Sequence, residues 1–187
     1  MPSRCPVDGS KVVYDGVIAR CSSKTCAAQH RESLYHFVSR PAFNLDGLGP
    51  KLIDRFLDEG LISDAADIFA LEKGDIAVLE RFGEKSAENI VREVSEKKRL
   101  PLPRFLYALG ILHIGEETAV LLARHFPVSS VSDMKKLYAT LSLEKLQKVP
   151  DIGPKVAGSV YGWFREPRNM KLLEKLEKDA VVYERKK

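Results

Sequence analysis

Three cysteines and one carboxylate near the N-terminus are the first residues here whose types and spacing suit a metal. Cys5, Cys21 and Cys26 make an odd count at short intervals, and Asp8 follows Cys5 by three residues. An odd count argues against a disulfide framework and for a metal site or free thiols. Zn2+ accepts thiolate, imidazole and carboxylate, although a carboxylate is unusual in a structural site. The candidate ligands by count and spacing are Cys5, Cys21 and Cys26. His30, four residues beyond Cys26, is the alternative fourth donor, and a ribbon that has lost its metal and holds by packing is the other alternative.

A second chemistry belongs to glycines and lysines. Lys51, Lys85 and Lys155 each follow a glycine by two residues, Gly49, Gly83 and Gly153, while a fourth glycine, Gly115, has Glu117 in that place. A glycine that opens a helix leaves backbone N–H groups accessible at the positive end of the helix dipole, which suits an anion. With a lysine beside it, the expected anion is a nucleic-acid phosphate. The second and fourth copies are expected to be the principal grips and the first an additional one. The third, with Glu117, should bind phosphate less well or serve mainly in packing.

The elements that would position these groups are legible as a repeat. Counting from each glycine, position −4 is Leu45, Leu79, Ile111, Val149 and position −1 is Leu48, Phe82, Ile114, Ile152; positions +4, +7 and +8 are apolar in every copy as well. Any amphipathic helix supplies the downstream stripe, but not the two positions before the glycine. The pattern predicts helix, tight hairpin, helix, with the glycine expected at positive φ or at a close approach. Pro50 and Pro154 suit the first helical position, where the N–H lacks a partner, and Glu84 and Glu116 suit the positive helix end. Predicted helices are 29–40, 51–59, 65–71, 76–81, 85–98, 104–109, 116–125, 133–138, 143–148, 155–164 and 168–178. Leu100-Pro101-Leu102-Pro103 is a breaker, and 184–187 is expected to fray.

Ahead of the helices, Lys11 to Tyr14 and Val17 to Arg20 read as two short strands split by the turn signal Asp15-Gly16. The thiols flank them as in a zinc ribbon, where a metal replaces a core too small to form. The expected fold is mostly α: four helix-hairpin-helix motifs packed in two pairs, preceded by a small β zinc-ribbon-like module. The expected boundaries are 1–28, 29–100 and 101–187. Charged residues make up 30% of the 187, and the net charge of +4 is too mild to identify a nucleic-acid binder by itself. No long apolar stretch follows the N-terminus, so neither a signal peptide nor a membrane span is expected, and the cytoplasm is the expected compartment.

The run from Leu79 to Ala87 (Leu-Glu-Arg-Phe-Gly-Glu-Lys-Ser-Ala), the run from His113 to Ala119 (His-Ile-Gly-Glu-Glu-Thr-Ala) and Cys5-Pro6-Val7-Asp8-Gly9 closely resemble the zinc finger and helix-hairpin-helix region of bacterial NAD-dependent DNA ligases. The resemblance extends from about Cys5 to Lys178 and keeps the order of one zinc module and four hairpins; the family's finger has four cysteines, the first two spaced Cys-x-x-Cys, so the ligand set it implies is Cys5, Asp8, Cys21 and Cys26, with Asp8 at the second position. It implies sequence-independent binding of nicked duplex DNA in replication and repair, by a monomer that grips phosphates and the minor groove. The implied contact residues are Gly47, Gly49, Lys51, Arg81, Gly83, Lys85, His113, Gly115, Gly153 and Lys155. The family's adenylated lysine lies in Lys-x-Asp-Gly, and Lys73-Gly74-Asp75-Ile76 fails at the last position. NAD use would therefore reside in a separate adenylation and barrel part, and this chain alone is expected not to seal nicks.

Some residues carry competing readings. Asp151 stands two before Gly153 where a small glycine is expected, so it should weaken the phosphate contact unless it caps the next helix. His113 packs or meets phosphate, and Trp163 reads as core. The fourth hairpin is also similar to that of base-excision glycosylases, but residues 156–178 contain no aspartate to serve as their catalytic acid. A stand-alone hairpin module for repair or recombination is the alternative function.

Overall fold

The computed structural model describes residues 2–80, 82–179 and 182–184, the last three through their backbone; the expected contact residue Arg81 and tail residues 185–187 lie outside the described residues. The N-terminal module is an antiparallel ribbon of β1 (Val12–Asp15) and β2 (Ile18–Cys21), with Asp15 paired to Ile18. The loop is therefore Gly16-Val17, with Gly16 at φ 63°, and a glycine at the first central position suits a primed turn. Asp15 is the last ladder residue and not a turn residue, a shift of one from the sequence expectation.

The helices follow: α1 (Ala27–Val38), α2 (Pro50–Asp58), α3 (Lys73–Ala77), α4 (Glu84–Glu96), α5 (Leu102–Ala108), α6 (Glu116–His125), α7 (Val131–Thr140), α8 (Leu143–Gln147), α9 (Pro154–Trp163) and α10 (Pro167–Lys178). The pairs α1–α2, α3–α4, α5–α6 and α8–α9 are the four hairpins, and α7 packs on α10. One hydrogen bond closes all four turns, from the residue before the glycine back to position −4: Leu48 to Leu45 (3.3 Å), Phe82 to Leu79 (2.9 Å), Ile114 to Ile111 (3.0 Å) and Ile152 to Val149 (3.1 Å). This is why both positions are apolar: they are the first and last residues of a β-turn whose ends face the core. Leu45, Leu48, Leu79, Ile111, Ile114, Val149 and Ile152 are all buried.

The glycines do not take positive φ. Gly49, Gly83, Gly115 and Gly153 sit at φ −76°, −97°, −87° and −77°, as extended caps before their helices. The left-handed residue lies two positions earlier, at Gly47 (85°), His113 (64°) and Asp151 (66°). In these three hairpins the third residue of the turn takes the left-handed conformation, which Gly and Asp adopt at lower cost than most. Asp151 thus holds a turn position, and no side chain caps α9.

One buried apolar cluster runs through all ten helices. Phe43, in the first hairpin loop, stacks on Phe37 of α1 at 4.4 Å and meets Phe105 of α5 at 6.1 Å, tying the first hairpin pair to the second. In the second pair Tyr138 of α7 lies 4.7 Å from Phe164 just after α9, and Trp163 is packed on the same core. Two arginines satisfy carbonyls at helix ends and in loops: Arg104 donates to Arg40, Pro41 and Ala42 after α1, and Arg165 to Ala139 and Leu141 at the end of α7.

Three further differences from the expected elements have local causes. The stretch 65–71 holds only a 3-10 turn, Asp67–Ala70. Asp64 accepts the Ala66 and Asp67 N–H groups at 3.0 and 3.3 Å, offering the backbone partners outside an α-helix. The proline-rich breaker doubles as a strand: β3 (Arg99–Pro101) pairs in parallel with β4 (Val182–Glu184), so Glu184, expected to fray, lies in a ladder. Finally, the helix expected over 76–81 is α3, four residues shorter at its end and started earlier by a Glu72/Asp75 capping box.

Candidate nucleic-acid interface and metal centre

The four glycine-led helix starts share one arrangement. Each glycine is the N-cap, its carbonyl accepts the first helical bond, and no side chain caps α2, α4, α6 or α9. Two other starts are capped by serine, as α1, α5 and α10 are not: Ser130 accepts the Asp133 N–H in α7 at 3.0 Å, and Ser142 the Lys145 N–H in α8 at 3.2 Å. The space at the four glycines is open as well, since a methyl group on any of them would meet nothing within 4 Å. Neither backbone conformation nor internal packing requires glycine there. A serine or aspartate would cap the helix better, so these positions give up stability for an open approach to the first-turn N–H groups.

The hairpins differ around that frame. At the first, Gly47 and Gly49 border an open cleft of about 400 Å³ shared with Arg40, Asn44 and Tyr35. Lys51 is the second residue of α2, and its side chain is exposed. At the second, Glu84 opens α4 and is held by Lys73 at 3.1 Å, while exposed Lys85 has no ion pair among the described residues. The third presents Glu116 and Glu117, both exposed, in the first turn of α6. At the fourth, Lys155 is the second residue of α9, after Pro154.

Lys155 and His113 are brought together by a residue that the sequence reading passed over. Lys155 Nζ lies 2.7 Å from Asp15 Oδ1, and His113 Nε2 lies 2.8 Å from Asp15 Oδ2. His113 Nδ1 meets Ser159 Oγ, on the same face of α9 as Lys155, at 2.9 Å. The Lys155 ammonium, by hydrogen bond first, and His113 hold the Asp15 carboxyl down at about 2. The ribbon tip is thus seated on the turn of the third hairpin and the helix start of the fourth. Its Asp-Gly dipeptide signalled a turn, and nothing local signals the partners 98 and 140 residues away.

The metal-type residues converge. The ligand atoms of Cys5, Asp8, Cys21 and Cys26 all lie within 4.8 Å of one another. Cys5 and Cys26 Sγ are 3.9 Å apart, and Cys21 Sγ is 3.4 and 3.5 Å from the Asp8 oxygens. A tetrahedral Zn2+ with ordinary bond lengths would put thiolates roughly 3.8 Å apart and a thiolate about 3.5 Å from a carboxylate oxygen. The donor set and its spacing fit that ion. The Ser10 N–H donates to Asp8 at 3.0 Å and holds its carboxyl at about 2, keeping it ionised. The Gln29 N–H lowers the Cys26 thiol at the start of α1, while withdrawal from water pushes Cys21 up to about 11. A cation at the centre would reconcile these groups by favouring every thiolate. His30 stands apart from them: its Nε2 meets the Ser63 carbonyl at 2.9 Å and its Nδ1 accepts from Arg168 at 3.2 Å. It is not the fourth donor of this cluster.

A model of the SAM-like helix-hairpin-helix tandem matches residues 41–96, and one of the helix-hairpin-helix motif matches 104–173. A DNA ligase of Nitrosococcus oceani is 43% identical over 186 residues, covering 98% of this chain and 27% of the relative. DNA ligases of Halothermothrix orenii (42% over 189 residues, 100% of this chain, 27% of the relative) and Coxiella burnetii (45% over 179 residues, 94% and 26%) are similar to it in the same way. The chain therefore spans about a quarter of the length of the curated relatives it matches, and no helix among the described residues is long and apolar enough to cross a membrane. With helix-hairpin-helix models matched on both sides of residue 100, and such identity along almost its whole length, this chain is a helix-hairpin-helix chain similar to part of the DNA ligases.

Proposed function

We propose that this chain is the DNA-holding part of an NAD-dependent DNA ligase acting in replication and repair. It binds nicked duplex without reading its sequence. Backbone N–H groups at Gly49, Gly83, Gly115 and Gly153 receive phosphates, and Lys51, Lys85 and Lys155 neutralise them; such contacts position the duplex and carry no base code. Zn2+ held by Cys5, Asp8, Cys21 and Cys26 would fix the ribbon, a structural role in which all four ligands come from protein. Adenylation with NAD and the sealing chemistry belong to parts of the ligase other than this chain. The chain acts as a monomer in the cytoplasm.

The observation that carries this reading is the set of four helix starts with glycine where nothing inside the molecule asks for it. Gly83→Ser tests it, because serine caps a helix at least as well as glycine but puts a hydroxyl on the N–H groups a phosphate would use. The melting temperature should hold or rise, while affinity for nicked duplex falls about tenfold as one anion site is closed. Unchanged affinity in a folded Gly83→Ser protein would remove the amide grip from the second hairpin.

A further inference from the structure

The strongest unassigned contact is the seat of the ribbon tip. Asp15 reaches Lys155 and His113 with one oxygen each, at 2.7 and 2.8 Å. Both partners belong to the second hairpin pair: His113 is the left-handed residue of the third turn, and Lys155 lies in the first helical turn of the fourth. These are positions where the helix start and a lysine together select an anion. A carboxylate with two oxygens toward two donors copies what a phosphodiester presents with its two non-bridging oxygens. The contact is at the surface, with the Lys155 side chain 76% exposed and that of Asp15 38%, so an outside anion can reach the same donors. The far end of the ribbon is fixed separately: Lys24 pairs with Glu166 at 2.5 Å, and Arg168 donates to the Lys24 carbonyl at 2.9 Å. The tip can therefore leave its seat without the module losing its anchor beside α10.

We propose that Asp15 is a built-in stand-in for a DNA phosphate: in the free protein it occupies the donors of the second hairpin pair, and an arriving duplex displaces it from Lys155 and His113. The inference rests on the phosphate-binding reading above and adds to it a competitor within the chain. Its consequence is that the fourth hairpin binds DNA by exchange of one anion for another, whereas the second binds by simple addition. Exchange weakens the net contact and makes the ribbon tip report on DNA occupancy.

The test is a titration of nicked duplex against Asp15→Asn, which keeps the side-chain shape and removes the charge. Affinity should rise about three- to fivefold, the range of an exposed ion pair no longer broken, and log affinity should fall more steeply with log salt by up to about 0.9. The gain should vanish in a Lys155→Met background, because the competitor and its target form one interaction. Lys85→Glu serves as the control on the second hairpin and should weaken binding in either background. If Asp15→Asn leaves affinity unchanged or lowers it while Lys85→Glu weakens binding, the tip is a positioning contact and the stand-in is overturned. If neither substitution matters, the phosphate reading itself falls and takes this inference with it.

Discussion

The second and fourth hairpins share a turn, an N-cap glycine and a lysine two residues on, yet one is open and the other is filled. Lys85 projects with no ion pair among the described residues, and Lys155 is held by an acid from a strand at the other end of the chain. Their helix starts differ in the same sense. Glu84 lends α4 its own negative charge and is partnered by Lys73, while Pro154 leaves α9 without either a first-position N–H or an acid in its first turn. At the fourth hairpin the fold sets an acid from elsewhere on the lysine itself. The difference teaches that a repeated local sequence sets the geometry of an anion site, whereas its vacancy is decided by tertiary structure.

Withdrawing the proposed metal should erase the difference and produce the largest effect. With the proposed Zn2+ chelated, three thiols and a carboxylate would lose the ion proposed to hold them together, and the ribbon has little core to fall back on: Val13, Tyr14, Val17 and Ile18 are all exposed. Amide protection over β1 and β2 should drop by at least about 100-fold in hydrogen exchange, with α4 and α9 unaffected. Lys155 would then be as open as Lys85. Retained protection in metal-free protein would show a ribbon held by packing.

The lysines sharpen the comparison directly. Lys85→Glu should lower affinity for nicked duplex about tenfold and take about 0.9 from the salt slope, as expected for the loss of one phosphate contact. Lys155→Glu should cost only about threefold, because the wild-type contact already carries the work of displacing Asp15. Equal losses, measured by fluorescence anisotropy at two salt concentrations, would make the hairpins equivalent and break the comparison.

What the sequence disclosed, and what it hid, follows the range of the interactions. The apolar residues at −4 and −1 are paired by a bond three residues long, so Leu79 and Phe82 or Val149 and Ile152 leave a direct local trace. The convergence of the cysteines was legible for a related reason, since Cys5 and Asp8 flank a tight turn, with Gly9 at φ 73° after Asp8, and Cys26 sits at the start of α1. Glycine misled on backbone angle, because the strained turn position carries histidine at 113 and aspartate at 151 and so bears no compositional mark. The pairing of β3 with β4 was hidden by its three-residue length and by Pro101. His30 matched a ligand spacing but is taken by Ser63 and Arg168, partners 33 and 138 residues away. Asp15 was missed for that same reason.

The smallest effect is also the most direct reading of the filled site. Lys155, and after it His113, hold the Asp15 carboxyl at about 2, below its ordinary value of 3.8. A carboxyl depressed in the folded state contributes stability above its unfolded value, and that contribution is lost as pH falls through the folded one. The tip contact is thus complete from neutrality down to about pH 4 and fades toward pH 2, so Asp15 confers no pH dependence on DNA binding between about pH 6 and 8. In a carbon-13 titration of the side-chain carboxyls, Asp15 should show a midpoint near 2 in the wild type. Lys155→Met should return it most of the way to the ordinary value of 3.8, and His113→Gln should return it less, following the order of the two contributions. A midpoint unmoved by Lys155→Met would mean that the lysine of the fourth hairpin is as unengaged in solution as that of the second, and only their sequence surroundings would then distinguish them.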